Sequence, residues 1–325
     1  MLPEIHDTGY ISVHYPMLPG KFFKRDIHQP GPCSGRNIDY VKSLENLQSG
    51  TYRKGRKIQS IMKQYIVDAF TDQVFSGNPA AVCVRDSWLP DRLMMKIAKE
   101  NNLSETAFIV KEGNVYHIRW FTPSGEIDLC GHATLGSSFV LSEFYDREAE
   151  RFDFVSMSGP LTVRKKDGLF EMNFPSRMPE EIPFTDVMRE ALNGLEAKAY
   201  LSRDLMLVLE KEEDVRKFAP DFGKLANVPE GTGFLITAPS AEYDFVSRAF
   251  FPKIKVNEDP VCGSAHCNFI PYWSRRLGRK KMTAYQASER GGILYCEDCG
   301  ERVLISGKAA LYSEAELRGI PEDSL

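Results

Sequence analysis

From Met62 onward, short apolar runs alternate with turn residues, and this pattern predicts a protein rich in β-strands. In the first half of this segment the runs lie at Ile66–Phe70, Ala80–Val84, Thr106–Val110, Tyr116–Phe121, Phe152–Met157, Leu161–Arg164 and Phe170–Phe174. In the second half, strands are predicted at Leu205–Leu209, Gly233–Thr237, Val246–Phe251, Val303–Ser306 and Lys308–Leu311. The body of the chain therefore consists mainly of β-sheet.

Three segments depart from this pattern and predict helices. Over Asp91–Glu100, apolar residues recur at helical spacing after a proline, which is typical of a short surface helix. His132–Phe144 carries small and apolar residues around most of its circumference, as expected for a helix that is buried on most sides. A third helix with small residues follows Cys262. Strands and helices together predict an α+β fold.

The two segments that lead into the buried helices resemble each other. Each runs through a strand, a Phe-X-Pro step, an acidic residue and a Cys-Gly pair into a helix, over residues 121–133 and 250–266. Two copies with the same order predict a duplicated body with halves at 62–175 and 176–325, in which the two Cys-Gly turns face each other. The last strands are free to pack back on the first half.

Residues 1–61 look unlike the rest of the chain. They contain five prolines and no sustained hydrophobic period, and they end in a basic cluster from Arg53 to Lys57. Two interpretations stay open: a disordered extension, or a start codon assigned too early. A basic arm for nucleic acid or acidic membrane is disfavoured, because clustered cations are usually solvated.

Composition and charge exclude several classes of protein. With 325 residues, 42% hydrophobic and 26% charged, the chain is not disordered throughout. A net charge of −4 argues against a nucleic-acid partner, although residues 1–60 carry nine Lys and Arg against five Asp and Glu. No apolar run is long enough to span a membrane, and no secretory signal is present. The seven cysteines then predict thiols of a cytoplasmic protein.

The Cys130-Gly131 and Cys262-Gly263 pairs each stand at the start of a predicted helix. Unpaired backbone N–H groups and a partial positive charge at such a position bind carboxylates, and glycine lets a ligand approach the backbone. The helix start can also lower a thiol pKa from about 8.5 toward neutral, which makes each cysteine a candidate proton-transfer base. A buried cysteine that merely begins a central helix is the other interpretation, and the pattern leaves both open.

Two further features carry candidate chemistry. Glu105 stands between a polar helix end and an apolar strand, where partial burial raises a carboxylate pKa and suits general acid/base catalysis; a solvated or capping glutamate is the simpler interpretation. Cys296 and Cys299 form a Cys-X-X-Cys pair that predicts a hairpin turn, because no second pair at suitable spacing completes a zinc site.

Five motifs follow one another between Met62 and Leu317. They are DAF…F-x-GNPAAV (Asp68–Val82), NLSETAF (Asn102–Phe108), WFTP…DLCGHATLG (Trp120–Gly136), EDPVCGSAH (Glu258–His266) and the tail from Gln286 to Gly292. In this order they resemble the phenazine-biosynthesis-type (PhzF-like) isomerase family. The resemblance implies a diaminopimelate epimerase-like fold, in which two similar β-rich half-domains each wrap around a central helix and the active site lies in the cleft between them.

The same resemblance implies roles for individual residues. Glu105 would carry a proton from one carbon to another without cofactor or metal, and His132 and Asp259 beside it would position the substrate or relay protons. The turn residues would hold a carboxylate of a small substrate at the two helix N-termini; these are Gly131, Gly263 and Ser264. The family tends to form homodimers, so a homodimer is the expected assembly.

One departure from the family pattern keeps alternatives open. Cys262 stands where many relatives have threonine, and with Cys130 it resembles the paired thiols of cofactor-independent racemases and epimerases. A two-thiol mechanism is therefore the alternative to Glu105, although Gly-His-Ala and Gly-Ser-Ala-His differ from the motifs of those enzymes. A further alternative is a carboxylate-binding or interaction protein that does not turn over a substrate.

Overall fold

The computed structural model describes residues 62–318, which form an α+β fold. The predicted extension over residues 1–61 lies outside the described residues. Between residues 62 and 318, no helix is both long and apolar enough to cross a membrane.

The strands of the first half coincide with the predicted apolar runs and add one short hairpin strand. They are β1 (Met62–Ala69), β2 (Asn78–Arg85), β3 (Glu105–Glu112), β4 (Val115–Thr122), β5 (Gly125–Ile127), β6 (Arg151–Ser156), β7 (Gly159–Lys166) and β8 (Leu169–Pro175). Alternating side chains of β4 and β8 point into the core and toward the outside, as the period of two in a strand requires.

Two helices accompany these strands. Helix α1 (Asp91–Asn101) covers one face of the sheet and ends at Asn102, whose left-handed backbone turns the chain into β3. Helix α2 (Gly131–Val140) continues as a π-helical turn over Leu141–Tyr145. Eight of the ten residues of α2 are buried, so the prediction of a helix enclosed on most sides is confirmed.

The second half contains ten strands. They are β9 (Glu180–Ile182), β10 (Lys198–Leu201), β11 (Leu205–Val208), β12 (Phe234–Pro239), β13 (Phe245–Phe251), β14 (Val256–Asp259), β15 (Lys281–Gln286), β16 (Gly292–Asp298), β17 (Arg302–Gly307) and β18 (Ala309–Leu317). Its central helix is α6 (Gly263–Leu277), which follows Cys262 as predicted. Three six-residue helices were not predicted, because they are too short to show a hydrophobic period: α3 (Asp186–Ala191), α4 (Glu212–Lys217) and α5 (Phe222–Asn227).

The strand pairings of the two halves follow one order. In the first half, β2 pairs in parallel with β3, β3 antiparallel with β4 and β4 in parallel with β6, and β6, β7 and β8 then pair antiparallel. The second half repeats this sequence of parallel and antiparallel pairings over β11, β12, β13, β15, β16 and β17. The final strands of the two series, β8 and β17, pair antiparallel with each other.

The strand that follows each of these two series adds a further pairing. After β8, the chain forms β9, which pairs with β10 of the second half. After β17, the chain forms β18, which returns to pair with β1 along its whole length. Strand pairing is therefore continuous between the halves, and the division at 175/176 stays a prediction.

A shared core holds the two central helices in place. Leu135 on α2 and Trp273 on α6 are both fully buried in one hydrophobic cluster with Val67 and Phe245. The Trp273 indole stacks on Phe245 and donates a hydrogen bond of 3.0 Å to Oγ1 of Thr237. Because each helix is enclosed along most of its length, its N-terminus has little freedom to move. The core thus fixes the position of both Cys-Gly turns.

Candidate active site

The first Cys-Gly turn places a carboxylate next to an imidazole. Glu105 begins β3, and His132 is the second residue of α2. Nε2 of His132 lies 2.9 Å from Oε2 of Glu105, and the two side chains are 8% and 15% exposed. Apart from this contact with the imidazole, Oε2 is buried and receives no hydrogen bond from the residues that the structure describes. A buried acceptor of this kind is rare and suits a group that takes a proton from a ligand.

The surroundings of His132 favour a protonated imidazole. Burial alone lowers the pKa of His132, but Cys130 and Glu105 together raise it well above its ordinary range. The sulfur of Cys130 lies 3.6 Å from Nδ1 of the ring. The raised pKa favours the protonated form of His132, which then lies directly beside the carboxylate of Glu105.

The second turn brings Asp259 into range of this pair. Asp259 ends β14, and its pKa is raised first by burial and further by the negative charge of Glu105, while His132 acts in the opposite direction. Helices α2 and α6 contact each other. Glu105, His132 and Asp259 thus lie within electrostatic range of one another, although they come from different halves of the chain.

Cys262 and Ser264 form the rest of the second turn. Cys262 directly precedes Gly263, the first residue of α6, and its sulfur lies 3.3 Å from Oγ of Ser264. The thiol is buried, whereas Ser264 is partly exposed. The hydroxyl of Ser264 therefore lies at the more accessible side of the turn.

Neither thiol has the lowered pKa that a helix start predicts. Burial and the carboxylate of Glu105 raise the pKa of Cys130 to about 11. Burial and the carboxylate of Asp259 raise the pKa of Cys262 well above its ordinary range. Of the two interpretations left open by the sequence, these shifts favour buried cysteines that begin a helix, because burial next to a carboxylate outweighs the partial charge of the helix.

Three polar side chains hold the second turn in place. Nδ2 of Asn78 donates to Oδ1 of Asp259 at 2.8 Å and to the carbonyl of Val261 at 3.1 Å. Gln286 accepts from the N–H of Cys262 at 2.8 Å and donates to the carbonyl of Asp259 at 2.6 Å. The hydroxyl of Ser288 donates to the carbonyl of Pro260, whose residue lies within this turn. The backbone around Asp259 is therefore fixed from two neighbouring segments.

The segment before Asn78 is held in place by Arg290. Arg290 donates to the carbonyl of Gly77 at 2.8 Å and forms an ion pair of 2.7 Å with Asp68. Gly77 has a φ of +66°, and a Cβ at this position would lie 2.1 Å from the carbonyl oxygen of Ala69. Only glycine fits this backbone.

Sequence reasoning did not assign a role to Asn78, Gln286, Ser288 or Arg290. All four lie in segments that carry the family resemblance, so the motifs themselves could have indicated them. Their partners are far away in sequence; Asn78 and Asp259 are 181 positions apart. Such contacts become visible only in the folded chain.

The two turn glycines border open space. A Cβ added to Gly263 would meet no atom within 4 Å, and one added to Gly131 would make only an ordinary contact with Phe174 at 3.6 Å. Neither glycine has a positive φ. The backbone conformation therefore does not require glycine at either position, and the free space lies where a ligand would approach the helix N-terminus.

One group of residues has the chemistry of a metal site. Glu105, Cys130 and His132 offer three ligand atoms within 4.8 Å of one another. This is the kind of donor set that zinc accepts.

Cys296 lies buried within β16, and Cys299 is exposed in the turn before β17, as the hairpin prediction requires. Among residues 62–318, neither cysteine belongs to a group of possible metal ligands.

Comparison with known proteins assigns the family. The family model of phenazine biosynthesis-like proteins (PhzC-PhzF) matches residues 67–315. The chain belongs to this family. A Pseudomonas aeruginosa relative of this phenazine biosynthesis-like protein, named an uncharacterized isomerase, is 50% identical over 253 residues, which cover 78% of the chain and 97% of the relative. The predicted family and the isomerase class are confirmed.

Solved structures confirm the fold class. The crystal structure of a PhzF-family phenazine biosynthesis protein from Enterococcus faecalis has a TM-score of 0.78 and 52% identity, covering 79% of the chain and 99% of that protein. A hydroxyproline epimerase of Agrobacterium vitis, solved with bound trans-4-hydroxy-L-proline, shares the fold at a TM-score of 0.53 and 10% identity over 79% of the chain and 92% of that protein. The diaminopimelate epimerase-like architecture is therefore common to all three.

Proposed function

We propose that this phenazine biosynthesis-like protein is a cofactor-independent isomerase that moves a proton at carbon in a small carboxylate substrate, with Glu105 as the general acid/base. The buried oxygen Oε2 of Glu105, whose partner among residues 62–318 is Nε2 of His132 at 2.9 Å, carries this proposal. A carboxylate held in this way is placed to accept a proton and has a cationic neighbour to offset its charge.

The proposed reaction follows from the surroundings of Glu105. The C–H bond of the substrate breaks, its proton moves to Glu105, and its electron pair enters the adjacent carboxylate or double bond. The N–H groups at the starts of α2 and α6, beside Gly131 and Gly263, stabilise the negative charge that develops. Glu105 then returns the proton to another carbon or to the other face of the same carbon.

His132 and Asp259 act around this step. The protonated imidazole of His132 lies beside Glu105 and keeps its carboxylate oriented. Asp259 has a raised pKa and is held by Asn78, so it retains a proton more readily than an exposed aspartate and can relay it to the substrate. Ser264 and the two glycines hold the substrate carboxylate.

The two-thiol mechanism with Cys130 and Cys262 is the alternative. It requires one thiolate, yet the pKa of Cys130 is raised to about 11 and that of Cys262 is raised as well. Both shifts disfavour the thiolate that would begin this reaction. The raised pKa values of the two thiols therefore favour Glu105 as the base.

Hydrogen–deuterium exchange distinguishes the candidates. Wild-type protein and the Glu105→Gln, Cys130→Ser and Cys262→Ser variants are incubated in D₂O with a panel of saturated and β,γ-unsaturated amino acids, and exchange is followed by NMR. We expect Glu105→Gln to lower the exchange rate at least about a hundredfold, and the serine variants to keep it within about tenfold. Loss in the serine variants alone would establish the two-thiol mechanism.

Two controls complete this experiment. Exhaustive treatment with a chelator should leave the exchange rate unchanged, and loss that zinc restores would instead assign Glu105, Cys130 and His132 to a metal. Saturable binding of panel compounds without any exchange would establish the non-catalytic carboxylate-binding protein.

We also place this activity in the cytoplasm, carried out by a homodimer. The six cysteines among residues 62–318 are all unpaired thiols, which favours a reducing compartment. Fractionation of the host cell and light scattering of the purified protein test the two statements.

A further inference from the structure

An arginine lies at the rim of the second turn. Arg203 stands between β10 and β11, and its side chain is 40% exposed. Its Nη2 donates a hydrogen bond of 3.1 Å to Oγ of Ser264, the second residue of α6. The guanidinium is therefore next to the group to which the substrate carboxylate is assigned, on the side open to solvent.

A buried carboxylate holds this guanidinium. Nε and Nη2 of Arg203 both donate to Oδ2 of Asp204, at 3.0 and 2.6 Å. The side chain of Asp204 is fully buried, and its other oxygen accepts the N–H of Gly233 at 2.9 Å. A buried carboxylate is costly to leave unpaired, so the guanidinium is kept in one orientation.

One edge of the guanidinium remains unused. Nη1 of Arg203 forms no hydrogen bond within residues 62–318, although the other two nitrogens have partners. Planar guanidinium donors match the geometry of a carboxylate, and an arginine that is already oriented loses little entropy on binding one. The proton-transfer pair lies at the first turn, with Glu105 on β3 and His132 on α2, whereas Arg203 lies at the second turn.

We propose that Arg203 binds a second anionic group of the substrate, so that the substrate class is a small dicarboxylate or similar dianion. This inference rests on the proposed function, because the first carboxylate is taken to bind at Gly131, Gly263 and Ser264. Arg203 is then a specificity-determining residue, which selects for a second anionic group beside the first.

Ligand-observed NMR titration with succinate and butyrate tests the proposal. The two probes share a four-carbon chain and differ in the second carboxylate. We expect wild-type protein to bind succinate about tenfold more tightly than butyrate. Arg203→Met should abolish this preference by weakening succinate alone, while Arg203→Lys, which keeps the charge without the planar donors, should retain part of it.

Arg189→Met is the matched control. Arg189 is an exposed arginine that pairs with Asp186 and Glu196 away from both turns, so the preference should equal that of wild type. No preference in wild type, a preference that survives Arg203→Met, an equal loss for both probes, or failure of wild type to bind either probe would overturn the proposal.

The Glu105→Gln variant separates this inference from the proposed function. It should keep the wild-type preference for succinate over butyrate, because it keeps Arg203 and both helix starts. Preference for succinate without exchange of any panel compound would remove the catalytic proposal and leave the binding role of Arg203. Exchange that depends on Glu105, with no role for Arg203 in binding, would remove only the inference.

Discussion

The two Cys-Gly turns use one backbone arrangement for different chemistry. At the first turn, His132 follows the glycine and meets the carboxylate of Glu105. At the second turn, Ser264 follows the glycine and accepts a hydrogen bond from Arg203. The helix starts are thus alike in their N–H groups and differ in the side chains that surround them. We infer that the first turn moves the proton and the second holds the substrate.

The supports of the two turns differ as well. Asn78, Gln286 and Ser288 all bind the segment between Asp259 and Cys262. The first turn has a hydrogen bond from the hydroxyl of Thr134 to the carbonyl of Cys130, within its own helix. The duplicated fold therefore supplies two similar anion-binding positions. Side chains from other segments then hold the second position in place.

Replacing the residue that follows each glycine tests most strongly whether the first turn moves the proton and the second holds the substrate. His132→Asn should lower kcat/KM for proton exchange by about a hundredfold or more, because it removes the cation beside Glu105. Ser264→Ala should raise KM while kcat changes less than about tenfold, because its hydroxyl contributes to binding. Steady-state exchange rates in D₂O measure both. An equal loss of kcat in the two variants would show that both turns take part in proton transfer.

Removing one of the side chains that hold the second turn should destabilise the protein. Asn78→Ala leaves Oδ1 of Asp259 and the carbonyl of Val261 without their buried donor, and should lower the free energy of unfolding by about 1–3 kcal/mol. Thr237→Val is the control, since Thr237 also makes two buried hydrogen bonds, to Val246 and Trp273. Urea unfolding should show a loss in both variants, whereas the exchange rate should fall in Asn78→Ala alone. Equal exchange rates would mean that Asp259 needs no fixed position.

The turn glycines predict a change in binding without a loss of folding. Gly131→Ala and Gly263→Ala place a methyl group in open space with no backbone strain, so thermal midpoints should not fall. Substrate KM should rise by at least about tenfold, because the methyl group displaces the carboxylate from the helix N–H groups. If both variants keep the wild-type KM, the carboxylate binds elsewhere.

The pKa of His132 tests the charge pairing at the first turn. Removing the charge in Glu105→Gln should lower this pKa toward its ordinary range, which NMR titration of the histidine ring measures. In wild type the pairing contributes stability that is fully present below about pH 6.5, the ordinary pKa of histidine, and is lost as the pH rises through the higher folded value. An unchanged pKa in the variant would show that Glu105 does not stabilise the imidazolium.

Much of this fold could be predicted because its signals are local. The strands have apolar runs, and α2 has small residues around its circumference, so both appear in the sequence itself. The duplicated Cys-Gly segment also predicts two related halves. The six-residue helices α3, α4 and α5 were missed, because fewer than two turns give no measurable period.

The site was predictable where its residues lie in motifs and not where their chemistry depends on neighbours. Glu105, His132 and Asp259 are placed within electrostatic range, as the resemblance implies. The thiols are the counterexample: position at a helix start predicts a lowered pKa for Cys130, but burial beside Glu105 raises it. Arg203 belongs to no motif, and its contact with Ser264 spans 61 residues.

The sequence by itself determined most of the strands, the two central helices, the family and the residue types at the two turns, because each of these depends on the order of neighbouring residues. Only the tertiary structure decided the direction in which the thiol pKa values shift, which side chains hold Asp259 and where Arg203 lies. These properties depend on burial and on contacts between distant segments. Their energies arise from groups that the chain brings together only when it folds.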